Sequence, residues 1–170
     1  AFLKESTDIV FRKFKPGKSD IDCALIYVDG LIDKTVVHDA VLRPMMFEIS
    51  KLVSELDDNE LSADKAYDFV LNHTISVADI KETDNLDEAI LFVMSGEVAL
   101  LVDGFNKIII VSARGWPARG ISDPDTEGVI RGAKEGFTET LRTNTALLRR
   151  KCKDHNMVIR TIRLGRRSKK

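Results

Sequence analysis

Residues 97–113, EVALLVDGFNKIIIVSA, place the tightest constraint on what this chain can fold into. Two apolar, β-rich runs flank Asp103-Gly104, a dipeptide that strongly favours reversal between neighbouring strands. The stretch therefore reads as a β-hairpin, and it commits the chain to a sheet with at least one antiparallel pair.

The remaining segments are read around that hairpin. Residues 2–14, FLKESTDIVFRKF, space Leu3, Ile9, Val10 and Phe14 on a helical face, with Pro16-Gly17 as the stop. CALIYV before Asp29-Gly30 predicts a buried strand and turn. From Asp33 to Leu56 the pattern is helical, and Pro44 is expected to break or kink it after Leu42. Ser62 is a good N-cap for a helix carrying Ala66, Phe69 and Val70 on one side. Ile75, Val77 and Ile80 predict a strand, and NLDEAILFVMSG predicts a helix ending at Gly96. A further helix is expected from near Phe137 to about Lys153, followed by a last strand through Val158, Thr161, Ile162 and Leu164. Helices and strands interleave, so the fold class is α/β: a mixed sheet including one antiparallel hairpin, flanked by helices. The expected division is an N-terminal helical arm over 1–19, an α/β domain over 20–165 and a basic linker over 166–170.

Composition excludes some classes. Apolar residues make up 44% of the 170 and charged residues 31%, ordinary for a globular protein that buries a core. No apolar run approaches the roughly 20 residues of a membrane helix. The chain opens on Ala1 and closes on RRSKK, which reads as a piece of something longer. Cys23 and Cys152 are far apart in unlike settings and read as two reduced thiols. His38, His73 and His155 share no ligand spacing with them, so no metal site is expected. The net charge of −1 hides an asymmetry: residues 141–170 hold eleven Lys or Arg against one acid, Asp154, and so carry +10. Such a terminus can meet nucleic acid, an anionic membrane surface, or the acids of the chain's own body.

Residues 114–136 read as a long loop rich in glycine, proline and acids, and three chemistries compete for it. Asp123, Asp125, Glu127 and Gly128 imitate the start of an EF-hand loop, but the twelfth position, where a bidentate Glu belongs, is Lys134. The glycines and the helix start near Phe137 could hold an anion, yet GAKEG is neither a P-loop nor a dinucleotide fingerprint. Ser122 beside Asp123 has no histidine near it in sequence and no nucleophile elbow. No cofactor, metal or enzymatic activity is expected.

The same region carries a resemblance. The arginine-glycine pair at 114–115, the R-x-I-x-x-P-x-x-E run from Arg119 to Glu127, the V-I-R-G-x-K-E-G-F run from Val129 to Phe137 and the N-x-x-L-x-R-x-K run from Asn144 to Lys151 together resemble the A-subunit family of spore germinant receptors. The likeness covers residues 86–165 closely and the earlier part in outline. It implies a membrane protein of endospore formers, with an N-terminal region of two α/β subdomains ahead of the membrane helices. The chain would be the first of these, on the cytoplasmic (core) side of the spore inner membrane. It also implies partners: other A subunits in a homo-oligomer, a transporter-like B subunit, a lipoprotein C subunit and a nutrient germinant.

With that family as guide, the expected interaction or signal-relay surface is the loop and its flanks. Arg114, Arg119, Arg131 and Lys134 alternate in sign with Asp123, Asp125, Glu127 and Glu135. Trp116 and Phe137 are expected to anchor it by burial, worth roughly 2 kcal/mol each. Asn144 closes the set. Two other classes stay open: a module that binds a small nutrient directly, and a nucleic-acid-binding domain using the basic C-terminus. The latter lacks the interleaved aromatics that stack bases.

Overall fold

The computed structural model describes residues 5–17, 19–55, 67–68, 70–74, 79–115 and 136–162. Among the described residues there are five strands: β1 (Ile9–Phe14), β2 (Cys23–Val28), β3 (Ile80–Thr83), β4 (Val98–Val102) and β5 (Ile108–Val111). They form one sheet in the order β1-β2-β4-β5-β3. All four pairings are antiparallel, so the expected α/β architecture is present without the parallel pair that a mixed sheet implies.

Strand alternation explains the layers. Leu25, Leu100 and Ile109 point to one face, where they pack with Val41, Met45 and Ile49 of the helical run over residues 34–55. Val28, Ala99 and Ile110 point to the other and meet Ala89, Val93 and Met94 of α3 (Leu86–Met94), with Ala146 of α4 (Leu141–Lys151). The apolar runs VALLV and IIIV have no polar alternation because β4 and β5 lie inside the sheet with helices on both sides. The predicted hairpin is the β4–β5 pair.

The helical run has three parts. Asp33 caps α1 (Lys34–Val37) by accepting from the amides of Thr35 and Val36. A π-helical turn, His38–Leu42, follows, and then α2 (Arg43–Glu55). Of the break or kink expected after Leu42, a break does not occur: the helical run continues through Pro44. Instead the Arg43 amide reaches back to the His38 carbonyl, one residue further than in an α-helix. This wider turn precedes a proline that has no amide and would crowd the carbonyl four residues before it. Farther on, Asn85 caps α3 by accepting from the amides of Asp87 and Glu88, and Gly96 ends it, as expected, with φ of 91°.

Several expectations are corrected. The helix predicted over 2–14 is overturned for Ile9–Phe14, which pairs with all six residues of β2. β-branched Ile9 and Val10 suit a ladder, and that tertiary pairing overrides a loose 3.6-residue spacing. The strand expected from Ile75 begins at Ile80 among the described residues; Ile75 and Val77 lie outside them, as do Ser62, Ala66 and Phe69. The last helix starts at Leu141 rather than near Phe137. Asn144 holds Thr138 outside it, accepting from the Thr138 amide at 2.7 Å and donating to its carbonyl at 2.6 Å. Of the last strand expected through Val158, Thr161, Ile162 and Leu164, residues 158–162 are not a strand, and Leu164 lies outside the described residues. They run beside residues 6 and 7 through a single backbone hydrogen bond, Thr7 amide to Ile159 carbonyl at 2.8 Å, because the Ile159 amide goes to the Ser6 hydroxyl.

This layering makes a contrast measurable. Ile109→Ala, at a fully buried position, should cost about 2–5 kcal/mol in urea unfolding, whereas Phe47→Ala, 61% exposed on α2, should stay within about 0.5 kcal/mol. Equal losses at both would contradict the assignment of Phe47 to the outer side of the helix.

Candidate functional site

Of the residues singled out in the sequence, Arg114, Phe137 and Asn144 are described; Trp116, Arg119, Asp123, Asp125, Glu127, Arg131, Lys134 and Glu135 lie outside the described residues. Arg114 and Gly115 form a joint with the start of α1. The Asp33 amide donates to the Ala113 carbonyl at 2.8 Å, the Gly115 amide to the Leu31 carbonyl at 3.0 Å, and Ile32 bridges Arg114. A Cβ on Gly115 would stand 2.5 Å from Asp33 Cβ and 2.6 Å from its backbone nitrogen, so only glycine lets the chain lie this close to the helix cap. Arg114 itself reaches Glu97, NH2 to Oε1 at 2.6 Å. The Glu97 carboxylate is buried, and its Oε2 has no hydrogen-bond partner among the described residues.

Phe137 does not anchor the segment by burial as expected: it is 70% exposed. With Leu141 and Leu148 it leaves an apolar strip along α4 open to solvent. Asn144 is the local clamp on Thr138 already described.

A neighbouring side of α4 carries residues that sequence reasoning passed over. Arg149 has no exposed surface. Its Nε donates to Asp8 Oδ2 at 2.7 Å and its NH2 to Asp8 Oδ1 at 3.0 Å, a bidentate pair. NH2 also donates to Ser6 Oγ at 2.8 Å, and NH1 to the Asp154 carbonyl at 3.3 Å with Met94 Sδ at 3.9 Å. All five guanidinium N–H groups are thus accounted for. Ser6 donates in turn to Asp8 Oδ1 at 2.6 Å. Burial by itself would raise the Asp8 carboxyl, but the hydrogen bonds from Arg149 and Ser6, with the Arg149 charge, together hold it below the usual aspartate value.

Seven residues earlier on the same helix, Arg142 NH2 lies 2.9 Å from Asp29 Oδ2. Lys34 Nζ approaches the other oxygen at 2.8 Å, as an ion pair without hydrogen-bond geometry. Between the two arginines, Ala146 packs on Gly30, whose φ of 93° and missing Cβ permit the approach. Arg160 pairs with Glu5 on the exposed side. For these three basic residues the partner is therefore the chain's own acidic body. The signal was present: Arg142, Ala146 and Arg149 recur at helical spacing, and Arg149 is a position of the N-x-x-L-x-R-x-K run. A basic run beside a terminus reads as solvated because sequence does not show which face is buried.

The chemistry of the remaining groups is quiet. Burial first, then the charges of Asp22 and Asp103, push the Cys23 thiol up to about 12, so it stays protonated at neutral pH; Cys152 is also free. Cys23 underlies a cleft of about 540 Å³ whose rim includes Lys13, Asp22, Asp103 and Lys107. Nearby, Tyr67 stacks on Phe105 with ring centroids 3.6 Å apart and donates to Glu82 at 3.0 Å. The Lys107 hydrogen bond to that carboxylate is the main reason Glu82 titrates below its ordinary range. Among the described residues, no three His, Cys, Asp or Glu side chains converge as metal ligands, and no helix is long and apolar enough to cross a membrane.

Arg149→Met should destabilise the chain by about 3–5 kcal/mol, because it strands a buried carboxylate. The contribution of Asp8 is complete above the unfolded aspartate value of about 4 and disappears as pH falls through its lower folded value. Asp8→Asn should therefore remove part of the acid limb of a stability–pH curve, and an unaltered limb would refute the assignment. Gly115→Ala should cost about 1–3 kcal/mol through overpacking against Asp33; an unchanged urea midpoint would show that this joint yields freely.

The whole chain, residues 1–170, matches the family described as Bacillus/Clostridium GerA spore germination protein. Spore germination protein B1 of Bacillus subtilis (strain 168) is 35% identical over 168 residues, which are 99% of this chain and 32% of that protein. Spore germination protein KA of the same organism is 28% identical over 161 residues, 94% of this chain and 28% of that protein. Among solved structures, the N-terminal domain of the A subunit of the Bacillus megaterium spore germinant receptor GerK3 superposes with a TM-score of 0.65 at 27% identity, covering 97% of this chain and 56% of that one. The chain spans about a third of the length of these curated relatives. A match along every residue, on a fold shared with a solved relative, places the chain in the Bacillus/Clostridium GerA spore germination protein family.

Proposed function

We propose that this chain is part of the N-terminal region of a germinant receptor A-type subunit and takes part in nutrient-triggered spore germination by subunit assembly or signal relay. The observation that carries this reading is the likeness, along 97% of the chain, to the N-terminal domain of a germinant receptor A subunit. The full-length protein would sit in the spore inner membrane with this domain on the core side. Residues 166–170 would lead to a second subdomain. Its partners would be other A subunits, a transporter-like B subunit and a lipoprotein C subunit.

The relay itself would run through α4. Arg142 and Arg149 bind one side of the helix to the turn after β2 and to the segment before β1. The neighbouring, solvent-facing side presents Leu141 and Leu148, exposed by 62 and 42%, with Phe137, 70% exposed, just ahead of the helix. A rigidly mounted helix with a free apolar strip suits contact with a neighbouring subunit, whose displacement would then reach both ends of the chain together. This role is non-enzymatic. The basic C-terminal part is less suited to nucleic acid than its charge suggests, since Arg142, Arg149 and Arg160 are engaged within the chain.

Phe137→Ser with Leu141→Ser should leave the melting temperature of the 170-residue chain within about 2 °C, because both side chains are exposed. Spores whose only receptor carries the pair in its full-length A subunit should germinate at least about tenfold more slowly, a barrier change of about 1.4 kcal/mol. Normal germination with normal receptor abundance would sink the α4 assembly reading.

A further inference from the structure

The outer edge of β1 combines three features that point to a ligand of one kind. The first is its backbone. The Asp29 amide donates to the Asp8 carbonyl at 2.7 Å, so in this antiparallel ladder residues 8, 10, 12 and 14 direct their backbone groups toward β2. Residues 7, 9, 11 and 13 direct theirs outward. The outward amide of Thr7 is taken by Ile159, whereas those of Ile9, Phe11 and Lys13 have no partner among the described residues. The register with β2 is unbroken over six residues, without the bulge or proline that often blunts an edge. At the other edge, β3 has only four residues, and Lys81 and Glu82 are exposed.

The second feature is a groove. On the α3 face, Ile9, Phe11, Ile26, Leu86, Ile90 and Leu101 help line a hollow of about 240 Å³ whose lining side chains are all apolar. It reaches the edge strand itself, where Phe11 is 40% exposed, and Leu86 is 62% exposed. The third is charge. Lys13 shares the face of Ile9 and Phe11 by strand alternation, is exposed, and makes no ion pair among the described residues.

From these we infer that the β1 edge is a docking site for an extended peptide segment added to the sheet as a sixth strand, with apolar side chains opposite Ile9 and Phe11 and a carboxylate opposite Lys13. The open amides and carbonyls at alternate residues supply the ladder, and side chains directly across an antiparallel pair share a face. The added apolar side chains would lie at the groove, and the Lys13 ammonium sets which end of the segment carries the acid. A free small apolar molecule would use the groove but leave the backbone edge unsatisfied. The docking site does not depend on the receptor reading.

The test uses the 170-residue chain and a synthetic ten-residue peptide of alternating valine and threonine, with one glutamate on the valine side at the Lys13 end. Binding is followed by calorimetry and by amide chemical shifts. Saturable binding is expected, with the largest shifts at Ile9, Phe11 and Lys13. N-methylation of the edge-facing peptide amides should abolish it, and Phe11→Ser should raise Kd at least about tenfold. Lys13→Glu, an exposed change that leaves the core intact, should reverse the preference to a peptide with lysine in place of glutamate. The inference is overturned by absence of saturable binding up to millimolar peptide, by equal binding of the N-methylated peptide, or by a Lys13→Glu chain that still prefers glutamate.

Discussion

A guanidinium with no exposed surface must find a partner for every N–H group, because water cannot supply one. Arg149 meets that demand where the segment before β1, the C-terminal end of α4 and residue 154 converge. Its dependence on Asp8 is mutual: the carboxylate is itself buried, and without the bidentate arginine it would be an uncompensated charge. Residues more than 140 apart in sequence are thereby fixed to one another. Such a pair adds little net stability compared with a well-packed apolar replacement, so its effect is better described as positional. It specifies one place for α4 and for the chain leaving it.

The sheet gives that arrangement something rigid to act upon. β4 and β5 are buried on both faces, and the helices packed against them separate two apolar layers. α4 belongs to this frame at Ala146 on Gly30, with Arg142 and Arg149 clamping either side of that contact. The Arg114–Gly115 pair performs a comparable task at the end of the β5 segment, where Gly115 presses on the Asp33 cap and Arg114 meets buried Glu97. Both joints place charged side chains against a backbone approached too closely for an ordinary residue.

How much was legible beforehand differs by element. The hairpin, β2 and α3 could be read because short-range chemistry settles them: apolar β-rich runs around Asp103-Gly104, and a helical apolar pattern with a glycine stop at Gly96. β1 could not, since Ile9, Val10 and Phe14 satisfy a helical spacing nearly as well as a strand, and only β2 alongside decides. The start of α4 was misplaced by four residues because Asn144 bonds backward to Thr138. Of the candidate site, Arg114 and Asn144 proved to have defined structural partners, while Phe137 was exposed rather than buried. Asp8 and Asp29 escaped notice because an ion pair across the chain leaves no local pattern around the acids, and the helical spacing of Arg142 and Arg149 does not by itself show which face is buried.

The sequence by itself determined the α/β class, the buried hairpin and family membership, because these rest on local hydrophobic pattern, turn chemistry and a long run of matched positions. Tertiary structure alone decided that the sheet is antiparallel throughout its described strands, that β1 forms one edge, and which of the basic residues are internal. Strand order and charge pairing depend on distances between segments far apart in the chain. Electrostatic and hydrogen-bond energies are set by those distances and by burial, neither of which is written in the order of residues.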